Sequence, residues 1–228
     1  MSIYAGPNTT KNDSSLVLHL DAANKRSYPG SGTVWYDLSG NRNNGTLTNG
    51  PTFSIANGGS IIFDGLDDYV NCGSLSNFLD GNQITMEIVT MKLGTGTNAE
   101  RGIMISIFGT YIDWSYQGKL LFSMWNGNSQ QTLLQSLNDT PYNINVLNHT
   151  VAVFDGTQKK LYNNGQLLRS ANDIGPITSL TSDLNIGRFT GGSHYCNGRI
   201  LMVRVYNRAL SPQEIKQSYN ATRGRFGL

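Results

Sequence analysis

The stretch Thr150-Val151-Ala152-Val153-Phe154-Asp155-Gly156-Thr157-Gln158-Lys159-Lys160-Leu161-Tyr162-Asn163-Asn164-Gly165-Gln166-Leu167-Leu168 decides the fold class. Its first five residues are a β-branched and aromatic run that ends at Asp-Gly. A second run, Lys160-Leu161-Tyr162, meets Asn-Gly and is followed at once by a third. Asn-Gly between two apolar runs is a hairpin signal, because both central residues of the turn must accept positive φ. The spacing predicts consecutive antiparallel strands with no helix between them.

The same grammar extends in both directions. Leu16, Leu18 and Leu20 alternate with Val17, His19 and Asp21, as in a half-buried strand. Ser60 to Phe63, Tyr69-Val70, Ile84 to Val89, Ile103 to Phe108, Tyr111 to Tyr116, Lys119 to Trp125, Leu184 to Gly187 and Gly198 to Tyr206 supply further strands. In the last of these, Leu201, Val203 and Val205 are expected to share one face, with Ile200 and Met202 opposite. A single helix is expected after Ser211-Pro212-Gln213-Glu214, a capping box with proline at the first helical position. Leu210 and Ile215 fit a hydrophobic staple, Tyr219 extends the buried stripe, and Asn220 or Gly224 is the expected stop.

Composition agrees and excludes several classes. The chain has 228 residues, 26 Gly against 6 Pro, 14% charged residues and a formal net charge of +2. Size scaling gives roughly 10,000 Å² of folded surface against about 36,000 Å² unfolded, enough burial for one domain without disulfides or metal. So small a charge excess does not suit a nucleic-acid-coating protein. No apolar run approaches the roughly 18 residues that span a bilayer. Met1 to Pro7 lacks a basic start and an apolar core, so classical secretion is not expected. Cys72 and Cys196 are expected as buried thiols, with a bond between them open if their strands are neighbours. Residues 1–15 read as an extended arm, 16–220 as the domain and 221–228 as a tail.

Catalytic patterns are weak. Glycoside hydrolysis needs two carboxyl groups at a set separation, but the glutamates are Glu87, Glu100 and Glu214, and Glu214 is used by the helix cap. There is no Gly-x-Ser-x-Gly elbow, no zinc spacing and no phosphate-cradling loop. Two loops rich in oxygen donors remain, Asp37 to Gly45 and Asp64 to Tyr69. Such loops suit calcium, with Asp37, Asn41 and Asp67 as the first ligands to test; the same residues also make turns by Asx hydrogen bonds. Tyr116 and Trp125, near Asn126 and Asn128, form an aromatic and amide cluster suited to stacking on a sugar and reading its hydroxyls. Alternation puts Trp114 on one face with Ile112 and Tyr116, and the alternative for that face is core.

Several segments resemble laminin-G-like jelly rolls of the concanavalin-A-like superfamily. They are Leu16 to Asp21, Trp35-Tyr36-Asp37-Leu38-Ser39-Gly40-Asn41 and Asn44-Gly45-Thr46-Leu47 at the opening, and Phe63-Asp64-Gly65-Leu66-Asp67-Asp68-Tyr69-Val70 at the centre. Val151 to Gly156 with Leu161 to Gly165 looks like the hairpin, and Asn197 to Ile200, Val203 to Ser211 and Glu214-Ile215 look like the closing strand and helix. The resemblance implies an all-β sandwich of two antiparallel sheets with one short C-terminal helix, lectin-like and sometimes calcium-binding. Val89 stands where a tryptophan is common, and Leu201-Met202 where an acidic pair is usual.

The ending, Tyr219 to Leu228, and the opening through Tyr28 to Thr33 are similar to laminin-G-like proteins of tailed bacteriophages. That implies a non-enzymatic virion protein, assembled in the host cytoplasm, with head decoration as the first role. The alternatives are a glycan-binding adsorption module on a tail fibre or baseplate, and a free bacterial lectin. The N-terminal arm and the C-terminal tail, with Arg223, Arg225 and Phe226, are the expected contacts to other virion proteins, Ile200 and Met202 are expected to line an interface, and a homo-oligomer is open. Host surface glycans are the other expected partner; nucleic acid and membrane are not expected.

Overall fold

A computed structural model describes residues 13–79, 82–94, 101–107, 109–115, 118–125, 131–135, 142–172, 177, 182–191 and 193–228. In chain order the strands are β1 (Leu16–Asp21), β2 (Val34–Trp35), β3 (Gly45–Thr48) and β4 (Thr52–Ser54), then, after a 3-10 turn at Ala56–Gly58, β5 (Ser60–Asp64) and β6 (Tyr69–Ser74). β7 (Ile84–Lys92), β8 (Arg101–Ile107), β9 (Thr110–Ser115), β10 (Leu120–Trp125) and β11 (Gln131–Gln135) follow. β12 (Leu147–Phe154), β13 (Gln158–Asn163), β14 (Gln166–Asn172), β15 (Asp183–Ile186) and β16 (Asn197–Tyr206) complete the strands, and helix α1 (Pro212–Phe226) closes the chain.

They form two eight-stranded sheets. The first has the order β14-β13-β12-β7-β16-β5-β4, with β1 also on β16; the second runs β11-β10-β9-β8-β15-β6-β3-β2. Strand pairs are antiparallel, including the 13–14 hairpin turned by Asn164 and Gly165, both at positive φ. The inner faces supply one core, in which Trp35, Phe63, Trp114, Phe122 and Phe154 are almost wholly buried. Trp114 is therefore core, stacked on Tyr142 with ring centroids 5.5 Å apart. Cys72 lies in the second sheet, Cys196 just before β16 in the first, and both are free and buried; burial pushes each thiol far up.

β16 departs from the expected alternation. Its register against β7 shifts between Ile200 and Met202, so Leu201 is the extra residue of a bulge. The bulge sends Ile200 inward with Val203 and Val205, while Leu201 and Met202 both face α1. Its edge partner changes at the same place: β5 pairs with Asn197 to Ile200, and β1 pairs with Met202 to Tyr206.

α1 lies on the outer face of the first sheet. Its start is as expected: Glu214 N donates to Ser211 Oγ at 3.3 Å, and Ser211 N donates to Glu214 Oε2 at 2.8 Å. Leu210 and Ile215 share an apolar cluster with Tyr162 and Tyr206. The helix then runs past Asn220 and Gly224 to Phe226, where Gly227 ends it in the left-handed region at φ 79. Its buried stripe is Ile215, Ser218, Thr222 and Phe226. Tyr219 stays half-buried, because polar groups of the sheet draw Ser218 inward.

Those polar groups form one cluster. Glu87 Oε1 accepts from His149 Nε2 at 2.7 Å, from Arg204 Nη1 at 3.4 Å, and from Ser218 Oγ. Burial alone would raise the Glu87 carboxyl, but Arg204 with His149 and Ser218 holds it down at about 2. Nearby, burial and Arg204 push the His19 imidazole down to about 3, so it is neutral in the folded protein.

Three of the five expected interface residues are thus internal. Ile200 belongs to the core, and Met202 packs with Phe226, Val89, Leu147 and Leu201 under the helix. Only Arg223 and Arg225 are exposed, and Arg225 donates to the buried Asp21. Of the expected arm, residues 1–12 lie outside the described residues; Asp13 and Ser15 are docked on Arg208.

Candidate functional site

The outer face of the second sheet carries a transverse polar row. Cross-strand register places Thr46 opposite Asn71, Asn71 opposite Asn185, Asn185 opposite Ser106, Ser106 opposite Tyr111, and Tyr111 opposite Ser123. Directly opposed residues share a face. Their sequence neighbours, among them Leu47, Val70, Leu184, Ile186, Ile105 and Phe122, point into the core. Polar residues alternating with core residues on six adjoining strands give a line of amides and hydroxyls perpendicular to the strands.

One end of this row is covered. Residues 187–191 and 193–196 fold over it, closed by Cys196 N donating to Gly187 O at 2.7 Å and Phe189 N donating to Ser193 O at 3.0 Å. Phe189 meets Tyr111 edge-on with centroids 5.5 Å apart, and Thr190 N donates to Ser106 Oγ at 3.2 Å. Gly187 is required at the hinge: its φ is +86, and a Cβ there would sit 2.6 Å from the Phe63 ring.

The other end is open. Asn71 and Tyr69 are half-buried, while Thr46 and Asp183 are exposed. Asn71 Nδ2 donates to Asp183 Oδ2 at 2.9 Å, and Arg188 Nε donates to Asn185 Oδ1 at 3.3 Å. The Arg188 guanidinium lies 3.5 Å over the Tyr69 ring. Amides, a carboxylate and a guanidinium fixed on a rigid sheet are the donors and acceptors that read hydroxyl-rich ligands. Sequence reading passed over Arg188, Asn71, Asp183 and Asn185. The alternation Asp183-Leu184-Asn185-Ile186, and Asn71 between Val70 and Cys72, were the available signals.

Beside the open end, the oxygens of Asp64, Asp67 and Asp68 lie within 4.8 Å of one another. Part of that capacity is used by the turn. Asp64 Oδ1 accepts from Leu66 N at 2.8 Å, and Asp68 Oδ2 accepts from Asp64 N at 3.0 Å. Burial, with Asp64 and Asp67 nearby, raises the Asp68 carboxyl. Hard oxygen donors of this kind suit calcium.

Asp67 is therefore in a carboxylate group, but Asp37 and Asn41 are not in it. Asp37 Oδ1 accepts from the amides of His19 and Ser39, each at 2.9 Å. Its Oδ2 accepts from Ser39 Oγ at 2.7 Å and Asn43 N at 3.0 Å. Asn41 Nδ2 donates to the carbonyls of Leu16 at 2.9 Å and Val17 at 3.1 Å. Both residues pin the loop to β1, which is the turn-forming alternative. Of the aromatic cluster, Tyr116, Asn126, Asn128 and the Trp125 side chain lie outside the described residues; the Trp125 backbone pairs with Gln131.

A laminin-G-type sequence model of the Concanavalin A-like lectin/glucanases superfamily matches residues 63–216. No curated protein sequence matches the chain. Among solved structures, the chain is similar to the binding domain of Paraclostridial Mosquitocidal Protein 1, with TM-score 0.72 and 16% identity over 91% of this chain and 52% of that one. It is similar to the botulinum neurotoxin type G receptor binding domain, with TM-score 0.65 and 13% identity over 90% of this chain and 51% of that one. The chain spans about half the length of these two. It is also similar to domain 4 of AbnA, an extracellular arabinanase from Geobacillus stearothermophilus, in complex with arabinotriose. There the TM-score is 0.66 and the identity 16%, over 90% of this chain and 98% of that one. At these identities the likeness is one of fold.

Proposed function

The chain belongs to the Concanavalin A-like lectin/glucanases superfamily, and from that premise we propose that it is a non-enzymatic, carbohydrate-binding module whose site is the open end of the polar row. The observation that carries this reading is the convergence of exposed Asp183 with half-buried Asn71 and Arg188 on one rigid face, Arg188 being held there by the buried Asn185. The non-enzymatic part is supported by the use of the two glutamates among the described residues: Glu87 is buried under α1, and Glu214 closes the helix cap. If calcium takes part, its ligands are Asp64, Asp67 and Asp68 rather than Asp37 and Asn41.

We further propose that the module acts on a bacteriophage particle as an adsorption module for host surface glycans. The likeness of residues 28–33 and 219–228 to phage-encoded laminin-G-like proteins supports the virion assignment. Adsorption is preferred over head decoration because the polar face offers a glycan receptor, while of the residues expected to make head contacts Ile200, Met202 and Phe226 are internal. Recombinant domain, wild type and Asn71→Ala/Asp183→Ala, is to be tested for retention on immobilised host-surface polysaccharides. Retention of wild type alone supports the reading; equal retention, or none, removes it. Immunogold labelling of particles with antibody to the domain tests the placement, with tail label expected and label on heads or on no particle overturning it.

A further inference from the structure

Resting on the reading of this face as a glycan site, we infer that the bound saccharide carries a carboxylate and that Arg188 receives it. Stacking on Tyr69 at 3.5 Å and the Nε bond to Asn185 at 3.3 Å fix the guanidinium plane. Together they use only one of its five N–H donors. The remaining edge is the planar fork that meets a carboxylate with two parallel bonds. No carboxylate of the described residues lies within the 4.0 Å of an ion pair with it.

That absence is specific, because an acid is close at hand. Asp183 is on the same strand face, two residues before Asn185 and about 7 Å along the strand. It is engaged by Asn71 Nδ2 at 2.9 Å and not by Arg188. Its free oxygen is an acceptor for hydroxyl donors, so the face offers a carboxylate receptor at one end and a hydroxyl receptor at the other. One pyranose ring with a carboxyl substituent has that polarity and about that length. Exposed Asp64 and Asp67 in the adjoining loop oppose a polyanion that does not make the Arg188 bond. Recognition of one acidic sugar residue follows, rather than diffuse attraction to negative charge.

The test is an array of polygalacturonate, alginate, hyaluronate and polysialate, each printed beside its carboxyl-reduced neutral counterpart. The domain is applied as wild type, Arg188→Met, Arg188→Lys and Asp183→Asn, with thermal melts confirming that each variant is folded. At least one acidic polymer should be bound at least tenfold more tightly than its reduced partner. Arg188→Met should abolish that preference, Arg188→Lys should recover little of it, and Asp183→Asn should keep it while changing which polymer is bound best. Binding of reduced and acidic partners alike, or a preference that survives Arg188→Met, overturns the inference and leaves the lectin reading standing. Binding to no polymer of either kind, with no retention on host polysaccharide, removes the lectin reading and this inference together.

Discussion

Replacing Glu87 by glutamine tests the account of how α1 is held on the sheet. The substitution keeps shape and most hydrogen-bonding capacity but removes the charge facing Arg204. At the 3.4 Å separation of Arg204 Nη1 and Glu87 Oε1, with an effective dielectric of about 20, the lost attraction is about 5 kcal/mol. Breaking a buried pair by removing one partner typically costs about 3–5 kcal/mol, since the other charge stays buried without compensation. With a urea m-value of about 3 kcal/mol/M, the midpoint should fall by about 1–1.7 M. Equilibrium urea unfolding followed by tryptophan fluorescence measures this directly. The double variant Glu87→Leu/Arg204→Met should regain more than half of the loss, because two apolar groups leave no orphan charge. A loss below about 1 kcal/mol for Glu87→Gln, or no recovery in the double variant, would refute the reasoning.

Further outcomes follow from other contacts. His19 is held at about 3 against an ordinary 6.5, so it contributes stability that is fully present above pH 6.5 and is lost as pH falls toward 3. A urea-midpoint series should show a slope of up to about 1.4 kcal/mol per pH unit. His19→Gln should flatten it between 6.5 and 4.5, leaving the loss from Glu87 and Glu214, whose ordinary value is 4.5, below that. Phe226→Ala should cost about 3–5 kcal/mol by opening a cavity beside Met202 and Leu147, measured by thermal melting. Asp37→Ala should cost about 2–3 kcal/mol by releasing the loop from β1, with the same loss in calcium and in chelator.

The sandwich was legible because strand alternation and turn chemistry agree along the chain. Asn164-Gly165 names its own turn, and Ser211-Pro212-Gln213-Glu214 names its own helix start. The bulge at Leu201 was not legible, since an inserted residue in an apolar run leaves the composition of both faces plausible. The departures at Val89, Leu201 and Met202 gain a common explanation from it. All three line the seat of Phe226, where an apolar surface is what the end of α1 packs on. The site was hidden for another reason. Asn71 and the pair Asn185 and Arg188 are ordinary polar residues on two separate segments, joined only by register. Asp37 and Asn41 were misleading because the donors that suit a cation are the same ones that suit a turn.

The position of β16 has a consequence for biosynthesis. It is the seam of the first sheet, zipped to β7 along its length and to β1 and β5 in succession on its other side. A nascent chain reaches Asn197 only after every other described strand has been translated, so the first sheet cannot be joined up until β16 emerges. Long-range pairing of this kind favours slow folding, with apolar faces uncovered until β16 is made. A message truncated just before residue 197 should therefore yield an aggregating chain, not a smaller working domain.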